Sequence, residues 1–215
     1  MEFRQSSLWK DNSLRAYYQL EGDGNDSSGN GFNLSNTVSY VDGIYGKCAS
    51  FAGSTLLSIS NDIGITGGAI SISFWAKTTN GTKLSCVGQG DSGTRIRYRV
   101  QYGTGSVTFT RIKDGVGVNE VTYTASLGTG WNHIVLTYDG ATVRGYVNGI
   151  YQVQVGSSGN GTSGASDFVN VGGLSGDAIF TGQLDDVAIF NRALNATEVY
   201  QLFSSTAGGF IYNLL

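Results

Sequence analysis

The chain has 215 residues, a net charge of −3 and 33 glycines, with 40% hydrophobic and only 13% charged residues. That composition is too apolar for a disordered chain and long enough for one β domain with a real core. The slight negative charge gives no general pull toward nucleic acid or anionic lipid, and no run of about 18 apolar residues is present to insert in a membrane.

Residues 1–13 read as an N-terminal extension. The opening MEFRQSSLWKDNSL lacks the apolar stretch of a signal peptide, so the expectation is a chain that starts mature or reaches the outside by another route, such as a virion. EGDGNDSSGNG (21–31) then concentrates acids, amides and glycines. It is either a linker or a shell of oxygens suited to a cation. Read as an EF-hand from Asp23, it has Ser28 where glycine belongs and Leu34 where glutamate belongs, so that motif fails. Cys48 and Cys86 are the only cysteines. They either bridge or serve as small buried hydrophobes.

From residue 69 onward, short β-type runs alternate with turns. AISISFWAKT (69–78) sets Ile70, Ile72 and Phe74 against Ser71 and Ser73. RIRYRVQY (95–102) sets Arg95, Arg97 and Arg99 against Ile96, Tyr98 and Val100. SVTFTRIK, VNEVTYTAS and NHIVLTYDG follow with the same period of two. Asp114-Gly115, Asp139-Gly140 and Asn148-Gly149 are turn signals. The last predicts a type I′ hairpin pairing Val147 with Ile150 and Tyr146 with Tyr151. About a dozen strands at this spacing predict a sandwich. The Gly/Ser run 156–166 reads as a long loop, because strand patterns resume at DFVNVGGL. In LNATEVYQLF, Asn195 is a natural N-cap, Glu198 completes a capping box, and Leu194 and Val199 take the staple positions of a short helix. Val199, Leu202 and Phe203 form its apolar stripe. One domain, 14–206, is therefore expected, followed by a tail, 207–215, that ends FIYNLL. The tail either covers its own sandwich or docks on a neighbouring subunit.

GTGWNHIVLTYDG, VRGYVNGIYQVQV and FTGQLDDVAIFNRALNATEV, preceded by LRAYYQLEGDGNDSSGNGFN, VDGIYGKCASFAG and AISISFWAKT, form an ordered set. The set resembles the laminin G-like (concanavalin A-like) jelly roll in its bacterial and viral branch, over about residues 14–203. The resemblance implies an all-β fold: two antiparallel sheets face to face, one of them concave, with the short C-terminal helix added. It also implies work outside the cell, at a cell surface or on a particle, most often binding glycans or proteins. Family membership by itself leaves the function open.

In LDDVAIF, Asp185 shares parity with Val187 and Ile189. If those two face the core, so does Asp185, and a buried carboxylate must be paired, protonated or metal-bound. In the family, the acid opening this last strand lies near the N-terminal loop and often joins a calcium site. Calcium takes six to eight oxygens, and loop 21–31 offers them. Asp26 and Asn30 are the first candidates to join Asp185 around a structural Ca2+, with Glu21 and Asp23 next. The alternative is an Asx-turn at Asp26, with Asp185 bonded to backbone amides or Arg192.

The fold also hosts glycoside hydrolases, which need two carboxylates flanking the scissile bond. Glu120 stands alone in its strand, Glu198 caps a helix, and adjacent Asp185 and Asp186 point to opposite faces of a strand. His133 is the single histidine, and no G-x-S-x-G elbow accompanies it. A non-catalytic module is expected. Its candidate ligand residues are Arg95, Arg97, Arg99, Tyr98 and Tyr102: stacked arginines call for an anionic glycan, acidic neighbours or plain solvation, and tyrosines suit sugar faces. Trp75 and Trp131 match aromatic positions of the family, and packing is their expected role. The alternative function is a structural virion component, a decoration or tail-fibre protein that uses the sandwich as a scaffold and contacts particle neighbours or its own copies through 207–215.

Overall fold

The computed structural model describes residues 6–35, 37–59, 63–65, 68–90, 97–113, 117–124, 126–156, 169–174 and 177–206, the side chains of 111–113 and 117–119 excepted. Arg95 and the tail 207–215 therefore lie outside the described residues. In chain order a 3₁₀ turn (Ser7–Lys10) is followed by β1 (Leu14–Tyr18), β2 (Ser39–Asp42), β3 (Lys47–Ala52), β4 (Leu57–Ile59), β5 (Ile70–Lys77), β6 (Leu84–Gln89) and β7 (Tyr98–Gly103). Then come β8 (Ser106–Lys113), β9 (Gly117–Thr124), β10 (Asn132–Tyr138), β11 (Thr142–Val147), β12 (Ile150–Gly156), β13 (Val169–Val171), β14 (Thr181–Phe190) and helix α1 (Ala196–Thr206). An eight-stranded sheet runs β12-β11-β10-β5-β14-β3-β2 with β1 also on β14, and a six-stranded sheet runs β4-β13-β6-β7-β8-β9. The predicted all-β, two-sheet antiparallel sandwich with one short C-terminal helix is the fold observed.

Period-two patterning builds the core. In β5, Ile70, Ile72, Phe74 and Ala76 enter the layer between the sheets, joined by Ile134, Leu136, Val187 and Ile189 from the same sheet. Leu57, Val87, Val100, Phe109 and Val171 meet them from the six-stranded sheet. Each of the larger side chains contributes about 1.5–3 kcal/mol by leaving water. The opposite face of the eight-stranded sheet carries a second apolar layer. Tyr17, Val135, Tyr146, Ala188 and Phe190 lie there under Val199 and Leu202 of α1 and Leu8 of the 3₁₀ turn. Trp9 stacks on Tyr17 at 4.2 Å between centroids. Residues 6–13 thus belong to the folded body, and the expected boundary at residue 14 moves forward to include them.

Local signals hold where they were strongest. Asn148 (φ 51) and Gly149 (φ 76) make the β11–β12 turn, and Val147 pairs with Ile150 and Tyr146 with Tyr151. The Asn195 N–H donates to Glu198 Oε2 at 2.8 Å and the Glu198 N–H to Asn195 Oδ1 at 3.0 Å, closing the capping box. Leu194 and Val199 are both buried. Cys48 and Cys86 are unbridged and buried. Burial pushes both thiols up, Cys48 to about 12.

Strand β14 organises the rest. Its first residues, Thr181–Leu184, pair with β3, and Val187–Phe190 pair with β1. The partner changes across Asp185 and Asp186, where the register against β5 also slips and Asp186 takes φ 48. The first and last strands therefore lie side by side in one sheet.

Candidate functional site

The bulge at Asp186 overturns the parity argument for Asp185. Asp185 stands opposite Trp75 and Ala188 opposite Ser73, and directly opposed residues of antiparallel strands share a face. Asp185 is therefore on the helix-covered face of the eight-stranded sheet and not in the layer between the sheets, yet it is 0% exposed. The β2–β3 turn covers it. The Ile44 N–H donates to Asp185 Oδ2 at 3.0 Å, and the Asp186 N–H to its Oδ1 at 2.9 Å. A Cβ on Gly43 would stand 2.5 Å from Asp185 Oδ2, so only glycine lets the turn close over the carboxylate. Glu21 grips the same turn from the other end, accepting from the Lys47 N–H at 2.7 Å. Next to it the buried Asp186 accepts from the Tyr17 hydroxyl at 2.7 Å.

Asp26 and Asn30 do something else. Asp26 accepts from the amides of Tyr17 (3.0 Å), Ser28 (2.9 Å) and Phe32 (3.0 Å) and from the Ser28 hydroxyl (2.9 Å). Asn30 donates to the carbonyls of Leu14 (2.9 Å) and Arg15 (3.1 Å), and the Ser27 N–H donates to Tyr17 O at 2.7 Å. Loop 21–31 thereby satisfies the edge of β1 that β14 leaves open, as an edge strand requires. Asp23 accepts from Asn25 at the loop surface. The proposed quintet does not gather around one point, and among the described residues no group of three or more His, Cys, Asp and Glu side chains is arranged to hold a metal. Asp26 and Asn30 meet at the Ser28 hydroxyl (2.9 and 3.1 Å) beside β1, while Glu21 and Asp185 sit at the two ends of turn 43–47.

The expected arginine ladder with exposed tyrosines is also corrected. Tyr98 and Tyr102 are 0% exposed and belong to the layer between the sheets. Tyr102 accepts from Asn132 Nδ2 at 2.9 Å, and burial raises its hydroxyl to about 12. Arg97 is buried, with Nη1 donating to the Ile65 carbonyl. Arg99 alone of the described pair faces outward, and it is not simply solvated. Its Nη1 is 2.9 Å from Asp177 Oδ2 and its Nη2 3.9 Å from Glu120 Oε2.

These contacts define the outer face of the six-stranded sheet. Gln101 and Thr108 stand opposite each other, as do Arg99 and Thr110; Thr108 faces Thr122 and Thr110 faces Glu120 across the next pair. Lys83 Nζ donates to Thr108 Oγ1 at 2.6 Å, and Thr108 and Thr122 hydroxyls share a bond at 2.8 Å. Asp177 enters from the loop before β14, accepting from Ser85 Oγ at 2.6 Å and Ala178 N at 2.8 Å. Burial pushes the Asp177 carboxyl up, but Ser85, Ala178 and Arg99 together hold it below the usual range. The result is a polar row of hydroxyls, one amide and a bracketed guanidinium. The alternation of TFT in β8 and EVTYT in β9 marks it in the sequence, whereas nothing local marks Asp177.

His133 is buried against Trp75 (5.1 Å) and Phe203 (5.9 Å) under α1, with Nε2 2.8 Å from Ser73 Oγ. Trp75 Nε1 donates to Thr206 Oγ1 at 2.9 Å. This is packing chemistry. A separate surface, at the β11–β12 tip beside α1, carries the exposed Ile150, Tyr151 and Tyr200. Tyr151 packs edge-on to Tyr146, and Tyr200 packs against Phe203.

Residues 51–200 match the family model Laminin_G_3, described as the concanavalin A-like lectin/glucanases superfamily. Among curated proteins, no sequence relative matches the chain. Domain 4 of AbnA, an extracellular GH43 arabinanase from Geobacillus stearothermophilus solved with arabinotriose, is similar at TM-score 0.72 and 21% identity, covering 88% of this chain and 98% of that one. The binding domain of Paraclostridial Mosquitocidal Protein 1 is similar at TM-score 0.72 and 21% identity, covering 90% and 52%. The binding domain of Botulinum Neurotoxin DC in complex with SialylT is similar at TM-score 0.69 and 13% identity, covering 91% and 52%. The chain thus spans about half the length of the toxin binding domains and nearly all of the arabinanase domain. At these identities the likeness is one of fold.

Burial holds the His133 imidazole at about 3, below the 6.5 of an exposed one. The unfolded chain takes up this proton below pH 6.5 and the folded chain does not, so stability present above that pH is lost as pH falls, until about pH 3. The loss is about 1.4 kcal/mol per pH unit. The carboxylates held low, Asp177 and Glu198 among them, start from 3.8 and 4.5 and act at lower pH. Urea midpoints at pH 6.5 and 5 should fall for the wild type and barely move for His133→Gln; equal slopes contradict the assignment.

Proposed function

Since the chain belongs to the concanavalin A-like lectin/glucanases superfamily, we propose that it is a non-catalytic recognition module that binds a glycan on the outer face of its six-stranded sheet. One observation carries the reading. The opposite face of the eight-stranded sheet is covered by α1 and the 3₁₀ turn, while the six-stranded sheet presents the Gln101, Thr122, Lys83 and Arg99 row described above. Domain 4 of AbnA was solved with arabinotriose and a neurotoxin binding domain with SialylT, which supports a glycan as the first ligand to test. Another was solved with rat synaptotagmin II, which keeps a surface protein as the other partner class. The non-catalytic reading rests on the two described carboxylates of this face. Both converge on Arg99, and Asp177 is held low, whereas a glycosidase acid needs a raised pKa. Such a module works at a cell or particle surface.

A structural calcium ion is part of the proposal in a narrower form than the sequence implied. Glu21 and Asp185 would supply its carboxylates beside turn 43–47, and the ion would tie the β2–β3 turn to the junction of first and last strands. It supplies no chemistry.

A second reading, a virion scaffold, is favoured by the Ile150, Tyr151 and Tyr200 patch, which suits a protein contact better than a solvated surface. The tail 207–215, first suspected of that role, lies outside the described residues.

Three measurements follow from this reading. On a glycan array, the wild type binds a defined set, and Gln101→Ala with Thr122→Ala weakens it at least about tenfold, or about 1.4 kcal/mol; undiminished binding removes the site. Chelation with EGTA lowers the melting temperature by several degrees, reversed by Ca2+; no shift, with no metal found by elemental analysis, removes the ion. Mass in solution reads a monomer for the recognition module, whereas a stable assembly dispersed by Tyr200→Glu favours the scaffold.

A further inference from the structure

This inference rests on the sheet-face reading just given and narrows the ligand it takes. Stacked arginines suggest an anionic partner, but the folded arrangement points the other way. The described charged side chains of the face are Lys83, Arg99, Glu120 and Asp177, two of each sign, and they are already engaged with the protein. Arg99 lies between Asp177 (2.9 Å) and Glu120 (3.9 Å). Lys83 is tied to Thr108 at 2.6 Å, and Thr108 to Thr122 at 2.8 Å. Arg97, the other described member of the ladder, is buried and bonded to a backbone carbonyl.

A sulfate or carboxylate reaching Arg99 (side chain 17% exposed) either competes with Asp177 (24% exposed) for the guanidinium or takes its remaining N–H groups beside Asp177 and Glu120. Breaking that pair leaves a part-buried carboxylate without its cation, and the incoming anion lies beside both acids. Like charges placed together this way are how binding sites reject wrong partners. A sugar hydroxyl meets no such obstacle. It donates to Glu120 (side chain 40% exposed) or to the Gln101 carbonyl. It accepts from the Gln101 amide or the Thr122 hydroxyl, and the Arg99 pair stays intact.

We propose that this face selects uncharged glycans, and that Asp177 and Glu120 are its specificity-determining residues because they exclude sulfated and carboxylated ones. The prediction is a gain of binding, which loss of fold cannot imitate.

Wild type, the double variant Asp177→Asn with Glu120→Gln, and that double variant carrying Arg99→Gln are applied to an array bearing arabinotriose, other neutral oligosaccharides and heparin-derived hexasaccharides. Binding is read from about 50 to about 500 mM NaCl, a range over which exposed charge attraction is screened away. The wild type should bind neutral glycans with less than about twofold change across that range, since few counterions are released. The double variant should gain at least about tenfold in heparin binding, lost at high salt and lost again with Arg99→Gln. If the double variant does not fold, Glu120→Gln alone should show a smaller gain of the same kind. Wild-type binding that is confined to acidic glycans and abolished by salt overturns the selectivity and leaves the sheet-face site standing. Failure of the variants to gain heparin binding overturns the role of Asp177 and Glu120. A wild type that binds no glycan overturns the sheet-face reading and this inference with it.

Discussion

Strand β14 changes its hydrogen-bonding partner in mid-course, and the change falls on two adjacent buried aspartates. Before them β14 pairs with β3, and after them with β1. A strand that switches neighbours leaves a gap where both neighbours end, and the polar groups there must be satisfied away from water. Asp185 fills the gap on the β3 side by taking the Ile44 amide, and Asp186 on the β1 side by taking the Tyr17 hydroxyl. Glu21 fixes the far end of the same turn through the Lys47 amide. Two residues past β1 the chain bends just ahead of Glu21: Leu20 is buried with φ 58, a conformation unusual for a leucine. Three acids thereby hold together β1, the β2–β3 turn and β14, segments that are far apart in sequence.

The same seam decides which surface is free. With β1 docked on β14, the preceding 3₁₀ turn brings Leu8 and Trp9 onto one face of the eight-stranded sheet, and the strand's continuation into α1 brings Val199 and Leu202 onto it. Arg192 links the two covers, with Nε 3.2 Å from Asp11 and Nη1 2.9 Å from Glu198. Under these covers the Ser73, Trp75 and His133 side chains are buried. On the outer face of the six-stranded sheet the polar halves of β7, β8 and β9 line up with Asp177, with Thr122 and Glu120 exposed and Thr108 and Thr110 buried beneath their neighbours. Among the described residues no helix lies over this sheet, which is why the proposed glycan site is placed there.

Signals confined to a few neighbouring residues were legible in the sequence: the two-residue period of β5 and β10, the Asn148-Gly149 hairpin with its register, and the Asn195–Glu198 capping box. The order of these elements was enough for the sandwich. Long-range placement was not. One extra residue at the Asp186 bulge reversed the side on which Asp185 lies, and no local pattern announces a positive φ at an aspartate. Asp26 and Asn30 carry the right oxygens for a cation, yet the open edge of β1 claims them first. Tyr98 and Tyr102 alternate with arginines, so one set had to face inward; the core took the tyrosines because their rings bury more apolar surface. The neutralising partner of Arg99 came from a loop 78 residues away, beyond any spacing rule.

Native-state hydrogen exchange at the β2–β3 turn tests the seam most directly. Amides in a surface turn ordinarily exchange through small local openings. If Asp185 and Glu21 bind this turn to the junction of the chain's ends, the Ile44 and Lys47 amides will exchange only by global unfolding, as slowly as the β5 amides at the centre of the sheet. Exchange of those two amides at rates typical of an exposed loop, with β5 still protected, would contradict the account.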